Sequence, residues 1–336
     1  MKLEQFNYHL PKELIAQELK NPRDSSRLMV VQDDKIQNRH FYDIVDYFKE
    51  NDVLVINNSK VKRAKIKGRK HTGAYVELIL TKKFDELNYE ARIKSNSSKK
   101  CGDTIYFDNE LNCTIKDKKS DLFYVKFNKE PSQKQLQEIF ELPTPPYIEK
   151  ELQNDEEYQT VYSSEEGSLA APTAGLHFTE RILEKLKNKG ITIVSVTLHV
   201  DFGTFLPIKD ENITNHKMHK EVFEISENAA NVINNRTGRL IAVGTTSVRA
   251  LESAADKHGI VYPGKNSTEI FIYPGYCFKN NIDALITNFH FPKSTLLLLV
   301  SAYYGKEKIL KAYETAVQKR YRFFSLGDSM MLIKNP

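Results

Sequence analysis

Cysteine is scarce: Cys101, Cys113 and Cys277 are the only three in 336 residues, and no two are close in sequence. That excludes a disulfide framework and a zinc knuckle, and leaves the three as packing or surface residues. Long apolar runs are missing too. The longest, Thr295 to Tyr304, is about half of what a membrane-spanning helix needs. The start, MKLEQFNYHL, has no cationic patch ahead of an apolar core, so no secretory signal is expected and the protein is expected to be soluble and cytoplasmic. No G-x-G-x-x-G opens a helix, which argues against a nicotinamide enzyme. GIVYPGKN (259–266) has the glycines and lysine of a phosphate loop, but Asn266 stands where a hydroxyl residue belongs, so a surface turn is expected. There is no internal repeat, no low-complexity tract and no stretch poor enough in apolar residues to be disordered.

What is present suits a folded chain of about two domains. NDVLVINNS (51–59) is a buried-type strand ending in turn residues. After it, GAYVELILTKK, LNYEARIKS, DTIYFDN, LNCTIKDKK and LFYVKFNK are β-favouring segments separated by Gly, Asn, Asp and Ser, the texture of an antiparallel meander or small barrel. A helical piece, SQKQLQEIFEL, leads to the stiff connector PTPPY, where the prolines mark a boundary. From about residue 160 strand and helix alternate: helix ERILEKLKNK with Thr179 as its cap, strand ITIVSVTLHV, helix ENAANVINN, strand LIAVG, helix SVRALESAADK, strands EIFIY and DALIT, and helix STLLLLVSAYYG. The fold class is therefore α/β: a main three-layer domain with a largely parallel sheet (1–61 and 147–336), interrupted by an antiparallel β-barrel domain (62–146).

Charge is +5 overall but uneven. KVKRAKIKGRK (60–70) carries seven Lys or Arg and no acid, which is either a solvated strand face or a site for a polyanion. In an open α/β sheet ligands collect at the carboxyl ends of strands. HVDFGTF (199–205), GTTS (244–247) and NFHFPKST (288–295) all follow expected strands, and PTAGLHFT (172–179) precedes a helix, so four loops are expected to meet at one crevice. There are plainer alternatives: Thr and Ser in GTTS cap helices, His290 could be a hydrogen-bonded core histidine, and His199 at a strand end could be structural. NHKMHKEVFEI offers His216, His219 and Glu221, but the order of a helical metal motif is absent, and proton transfer by a histidine beside a carboxylate is the better use.

These stretches, in this order, resemble the S-adenosylmethionine:tRNA ribosyltransferase-isomerases of queuosine biosynthesis. LPKELIAQ, PRDSSRL, NDVLVINNSKV, GRKHTGAYVELIL, LPTPPYI, YQTVYSSEEGSLAAPTAGLHFT, LHVDFGTFLPI, MHKEVFEI, GTTSVRALES, TEIFIYPGYCF, DALITNFHFPKSTLLLLVSAYYG and YRFFSLGDSMMLI carry the likeness from Leu10 to Ile333. One departure is Asp201, where the family usually has glycine. The resemblance implies an α/β domain interrupted by a barrel, and transfer with isomerisation of the ribosyl part of S-adenosylmethionine onto 7-aminomethyl-7-deazaguanine at the tRNA wobble position. Epoxyqueuosine-tRNA, adenine and methionine would result. It implies no cofactor and no metal, S-adenosylmethionine being a consumed co-substrate, and as partners S-adenosylmethionine and tRNA carrying the precursor base. A monomer is expected.

The sulfonium acidifies the C5′ hydrogens, so a modest base suffices, and His177, His219 with Glu221, and His290 are the candidates. Thr173, Gly175, Phe178, His199, Gly203, Thr245, Thr246, Arg249 and Asn288 are the candidate substrate-binding residues. Of these, Thr245, Thr246 and Arg249 suit the methionine carboxylate at a helix start. Phe178, Phe202, Phe205 and Phe289 are candidate aromatic faces for the sulfonium and adenine. Lys62, Arg63, Lys65, Lys67, Arg69 and Lys70 are expected to serve tRNA phosphates. Two other classes compete: a non-catalytic RNA-binding protein using the basic insert alone, and a metal hydrolase built on His216, His219 and Glu221.

Overall fold

The computed structural model describes residues 1–33, 35–201, 208 and 210–334. The chain forms two compact units, Met1–Lys60 with Pro145–Pro336, and Val61–Thr144. In chain order the first unit begins with β1 (Arg27–Gln32), β2 (Lys35–His40), β3 (Val53–Asn57) and β4 (Ser59–Val61). The second holds β5 (Lys65–Lys70), β6 (Tyr75–Lys83), β7 (Asn88–Lys94), β8 (Thr104–Tyr106), β9 (Asn112–Lys119), β10 (Leu122–Phe127), α1 (Gln133–Glu138) and β11 (Phe140–Glu141). The first unit resumes with β12 (Glu165–Ser168), α2 (Glu180–Asn188), β13 (Thr192–Leu198), β14 (Glu221–Ile225), α3 (Glu227–Asn234), β15 (Leu240–Val243) and α4 (Gly244–Ala254). It ends with β16 (Gly264–Thr268), β17 (Ala284–Asn288), α5 (Thr295–Tyr304), α6 (Lys306–Gln318) and β18 (Ser329–Ile333).

The first unit is built on a nine-stranded sheet in the order β16-β14-β13-β3-β15-β17-β18-β1-β2. Its centre, β13-β3-β15-β17, is parallel throughout. Toward both edges the pairs turn antiparallel, apart from parallel β18-β1, so the sheet is mixed, with its longest parallel portion in the middle. The central strands are apolar on both faces because both are covered. In β3, Val53 and Val55 join a core with residues of α3, α4, α5 and α6, while Leu54 and Ile56 join a second core with Phe41, Ile44 and the α2 residues Ile182 and Leu186. At the sheet centre Asn57 closes the exit of β3: its amide donates to Leu198 O at 3.0 Å, and its Oδ1 accepts from Leu198 N at 3.0 Å and Ser59 N at 3.1 Å. α2 starts where expected, with Thr179 Oγ1 accepting from Ile182 N.

The second unit is a barrel in which β5-β6-β7-β10-β9-β8 close through a β5–β8 pairing, with β11 added beside β5. Alternate residues point inward: Val76 and Leu78, Ala91 and Ile93, Phe123 and Val125, and Cys113 with Ile115 are all buried. Burial pushes the Cys113 thiol up to about 12, so it is an inert packing group.

Three local expectations need correction. EIFIY is not a strand; the edge strand is the preceding polar stretch Gly264–Thr268, paired with β14. Ile272 instead goes into the core. GIVYPGKN is therefore not wholly a surface turn, since its last three residues begin β16. The expected long helix SQKQLQEIFEL keeps only Gln133–Glu138, after which Phe140–Glu141 pairs with β5.

Candidate functional site

The carboxyl ends of β3, β13, β15 and β17 lie on one edge of the sheet, and the loops that leave β13, β15 and β17 help to wall a cavity of about 550 Å³. Its polar lining includes Thr173, Thr245, Thr246, Thr287, Asn288 and His290, together with Lys293, Ser294 and Ser325. Tyr147, Phe291 and Phe324 form an aromatic wall, with Tyr147 edge-on to Phe291 at 5.0 Å and Phe291 stacked on Phe324. The Tyr147 hydroxyl is fixed by Ser325 at 2.6 Å, and burial holds it protonated. Two lining residues, Lys293 (φ 58°) and Phe324 (φ 71°), adopt the left-handed backbone region that bulky side chains avoid, a strain typical of functional loops.

One buried chain of hydrogen bonds sets the floor. Thr173 Oγ1 donates to Asn288 Oδ1 at 3.1 Å, and Asn288 Nδ2 faces His177 Nε2 at 3.1 Å and Phe324 O at 3.2 Å. An amide nitrogen can only donate, so His177 Nε2 accepts and its proton sits on Nδ1, pointed at Ser26 Oγ 2.8 Å away. His177 is 1 % exposed and stacked on Phe41. Burial lowers its pKa to about 4, with Arg322 and Arg23 adding to the effect and Asp328 opposing it. A neutral ring with both nitrogens engaged orients Asn288, has no lone pair left for a substrate proton, and does not line the cavity. Here the geometry departs from the expectation of a base at His177.

His290 is held from three sides. Its backbone N–H donates to the Tyr313 hydroxyl at 3.0 Å, its carbonyl accepts from the Tyr8 hydroxyl, and Nε2 lies 3.0 Å from Thr287 Oγ1. Burial lowers its pKa to about 3, so it is a neutral imidazole on the cavity wall. Helix α4 opens the other side. Gly244 takes φ +83°, a left-handed value that suits glycine, and lets the chain turn from β15 straight into the helix. The N-cap is Val243, which has no side-chain acceptor, so the first-turn amides beside Thr245 and Thr246 are left for a ligand. Thr246 Oγ1 is buried without a partner among the described residues.

The sequence model of the family described as "Queuosine biosynthesis protein" matches residues 3–332. The chain belongs to that family. It is 48% identical over 343 residues to an S-adenosylmethionine:tRNA ribosyltransferase-isomerase of Desulforamulus reducens, covering 99% of this chain and 100% of the relative. The enzyme of the same name from Fusobacterium nucleatum is 46% identical, covering 98% and 96%. A crystal structure of S-adenosylmethionine tRNA ribosyltransferase from Thermotoga maritima matches with a TM-score of 0.55 and 33% identity, covering 98% of this chain and all of that one.

The remaining candidate residues sit elsewhere. Gly175 and Phe178 do not line the cavity: a Cβ on Gly175 would lie 1.9 Å from the buried Tyr162 hydroxyl, and Phe178 is fully buried, edge-on to Phe41. Phe289 is likewise core, while Gly203, Phe202 and Phe205 lie outside the described residues. His199 donates its backbone N–H to Val222 O, and its ring packs over Gly167. His219 is exposed and Glu221 is buried in an ion pair with Arg249, so the two do not form an acid–base pair. Arg249 spends Nη1 on Glu221, and its Nε and Nη2 are buried without partners among the described residues. The second oxygen of Glu221 accepts from Asp201 N at 3.0 Å. The position where the family usually has glycine is thus tied to the Arg249 pair through its backbone, a bond that any residue could make.

The basic run is committed within its own unit. Arg63 donates to Gln137 O and Phe140 O, Lys65 and Lys67 pair with Glu141 at 2.8 and 2.9 Å, and Lys70 is buried against Asp103 at 2.6 Å. Lys62 is half-buried, and Lys60 and Arg69 are exposed, Arg69 donating to Gly73 O. Sequence reasoning missed Tyr147, Phe324 and Phe291 as the cavity's aromatic wall; the prolines of PTPPY and the phenylalanine after His290 were the available signals.

Proposed function

We propose that the chain is an S-adenosylmethionine:tRNA ribosyltransferase-isomerase of queuosine biosynthesis and that the 550 Å³ cavity is where S-adenosylmethionine reacts. The observation that carries the assignment is the meeting, in one cavity, of an uncapped helix start, an aromatic wall and a neutral histidine. The size is within the roughly 300–1,000 Å³ range of small-molecule sites. The methionine carboxylate is received by the first-turn amides of α4 with Thr245 and Thr246, where the helix dipole favours an anion. Tyr147, Phe291 and Phe324 offer ring faces to the adenine and the sulfonium. His290, already deprotonated, takes a proton from C5′, made acidic by the adjacent sulfonium, and its bond to Thr287 fixes the ring. Asn288, oriented by His177, presents the remaining lone pair of its Oδ1 to a ribose hydroxyl. The precursor base's aminomethyl nitrogen bonds to the ribosyl carbon skeleton and loses one proton to solvent; the C1′–N9 and C5′–S bonds break, adenine leaving with the proton held by His290 and methionine leaving as the neutral thioether. The acceptor is tRNA carrying 7-aminomethyl-7-deazaguanine.

The test is incubation with S-adenosylmethionine labelled in the ribose and precursor tRNA. Label on the RNA and release of adenine are expected. His290→Ala should lower kcat by about a hundredfold or more, as losing a general base does. Thr245→Val with Thr246→Val should raise the S-adenosylmethionine KM. Normal turnover in the His290 variant would remove it from the chemistry, and no transfer of label by the parent would refute the assignment.

A further inference from the structure

The unit Val61–Thr144 holds 18 Lys and Arg against 12 Asp and Glu, a net of +6, which leaves the rest of the chain at −1. All the positive excess therefore belongs to the barrel, although most of the basic run is consumed by Glu141, Asp103 and backbone carbonyls. The strand register marks out one place on its outer face. Arg69 lies directly opposite Tyr75 of β6 on one side and Tyr106 of β8 on the other. Directly opposed residues point to the same face with Cβ atoms about 4.5–5.5 Å apart, so the three side chains form a row across three strands. The row points outward: neighbouring Lys70, Val76 and Ile105 are buried, whereas Tyr75 is 48% and Tyr106 51% exposed. Gly68 makes the row possible. A Cβ there would lie 2.6 Å from both Tyr106 O and the Phe107 ring, so only glycine lets β8 close against β5 and bring Tyr106 beside Arg69.

Two half-exposed rings flanking a guanidinium on a net-positive barrel match unpaired nucleotides, whose bases stack on aromatic and guanidinium planes while phosphates meet the positive field. An apolar protein partner would need a broader uncharged surface than a row with arginine at its centre. We propose that Tyr75, Arg69 and Tyr106 form a base-stacking platform for unpaired RNA nucleotides. The proposal rests on RNA being the macromolecular substrate, as the preceding section holds, but on no cavity residue.

The experiment uses the full chain with Tyr75→Ala, Tyr106→Ala, both together, the double Phe variant and Arg69→Gln. Binding of a fluorescently labelled tRNA transcript is followed by anisotropy at several salt concentrations, beside S-adenosylmethionine affinity by calorimetry. Each Ala should weaken RNA binding about 5- to 100-fold, the double more. The double Phe variant should stay within about twofold, because it keeps the ring faces, and Arg69→Gln should flatten the salt slope by about one. Unchanged S-adenosylmethionine affinity would show that the fold and the cavity are intact, and a failed cavity assignment would show in that measurement alone. RNA affinity in the double Ala variant within about twofold of the parent overturns the platform, as does damage by Phe equal to that by Ala. Loss of self-association with unchanged RNA binding would give the row to a second copy and equally overturn it.

Discussion

Two buried neutral histidines make the stability of the main unit depend on acid in a calculable way. An ordinary histidine titrates near 6.5, and the folded values are about 4 for His177 and about 3 for His290, both depressed mainly by burial. A folded pKa below the unfolded one means that the unfolded chain binds the proton first. Stability is then fully present above pH 6.5 and is lost as pH falls through the window down to the folded values. Within it each histidine removes about 1.4 kcal/mol per pH unit, so at pH 5 each has cost about 2 kcal/mol relative to pH 8, and the pair about 4 kcal/mol. That is a large share of the roughly 5–15 kcal/mol that holds a domain folded. Below about pH 4 His177 protonates in the folded state and its part of the slope ends, while that of His290 continues to about pH 3.

Urea titrations from pH 8 to pH 4.5 on the parent, His177→Gln and His290→Gln isolate these terms. Each variant has its own baseline stability, but the measured quantity is the slope of unfolding free energy against pH, and carboxylates contribute to all three chains alike. Each variant should lose about 1.4 kcal/mol per pH unit of slope between pH 6 and 5. A variant whose slope equals that of the parent would show that the histidine it replaced is not held neutral by burial, and would return His177 to consideration as a titrating base.

Asn288→Asp tests the tautomer. It sets an acceptor-only carboxylate against the lone pair of His177 Nε2, and the conflict is relieved when the ring gains a proton. The His177 pKa, followed by carbon NMR of labelled imidazole, should rise from about 4 by about one to three pH units. Gly175→Ala forces a Cβ against the Tyr162 hydroxyl, which is buried and without a partner among the described residues, and should destabilise by about 1–3 kcal/mol in thermal unfolding. Adding Tyr162→Phe removes the colliding atom and should restore most of the loss. Arg249→Met removes the guanidinium that faces the buried Glu221 carboxylate and should cost about 3–5 kcal/mol by denaturant titration. Pairing it with Glu221→Gln should recover much of this; no recovery would mean that Arg249 acts mainly through other contacts.

The convergence of loops was legible because it depends on chain order alone. Buried strands such as ITIVSVTLHV, LIAV and DALIT show where carboxyl ends fall, and parallel pairing places those ends on one edge. What each side chain does there was not legible, because partners come from far away. The proton position on His177 is set by Ser26, 151 residues back, and Asn288, 111 residues on. The charge of Lys65 and Lys67 is met by Glu141 only once β11 lies beside β5, so a run that looks like a polyanion site in one dimension is largely a set of internal ion pairs in three. Short strands failed for a different reason: RLMVVQ and SMMLI are apolar runs too brief to distinguish strand from helix by period, and polar KNST lies on an edge strand that needs little apolar surface. Arg69 shows both sides of this. Its charge was visible in the sequence, but the two tyrosines that give it a role lie 6 and 37 positions along the chain and meet it only through antiparallel register, which a single-residue slip would send to the opposite face.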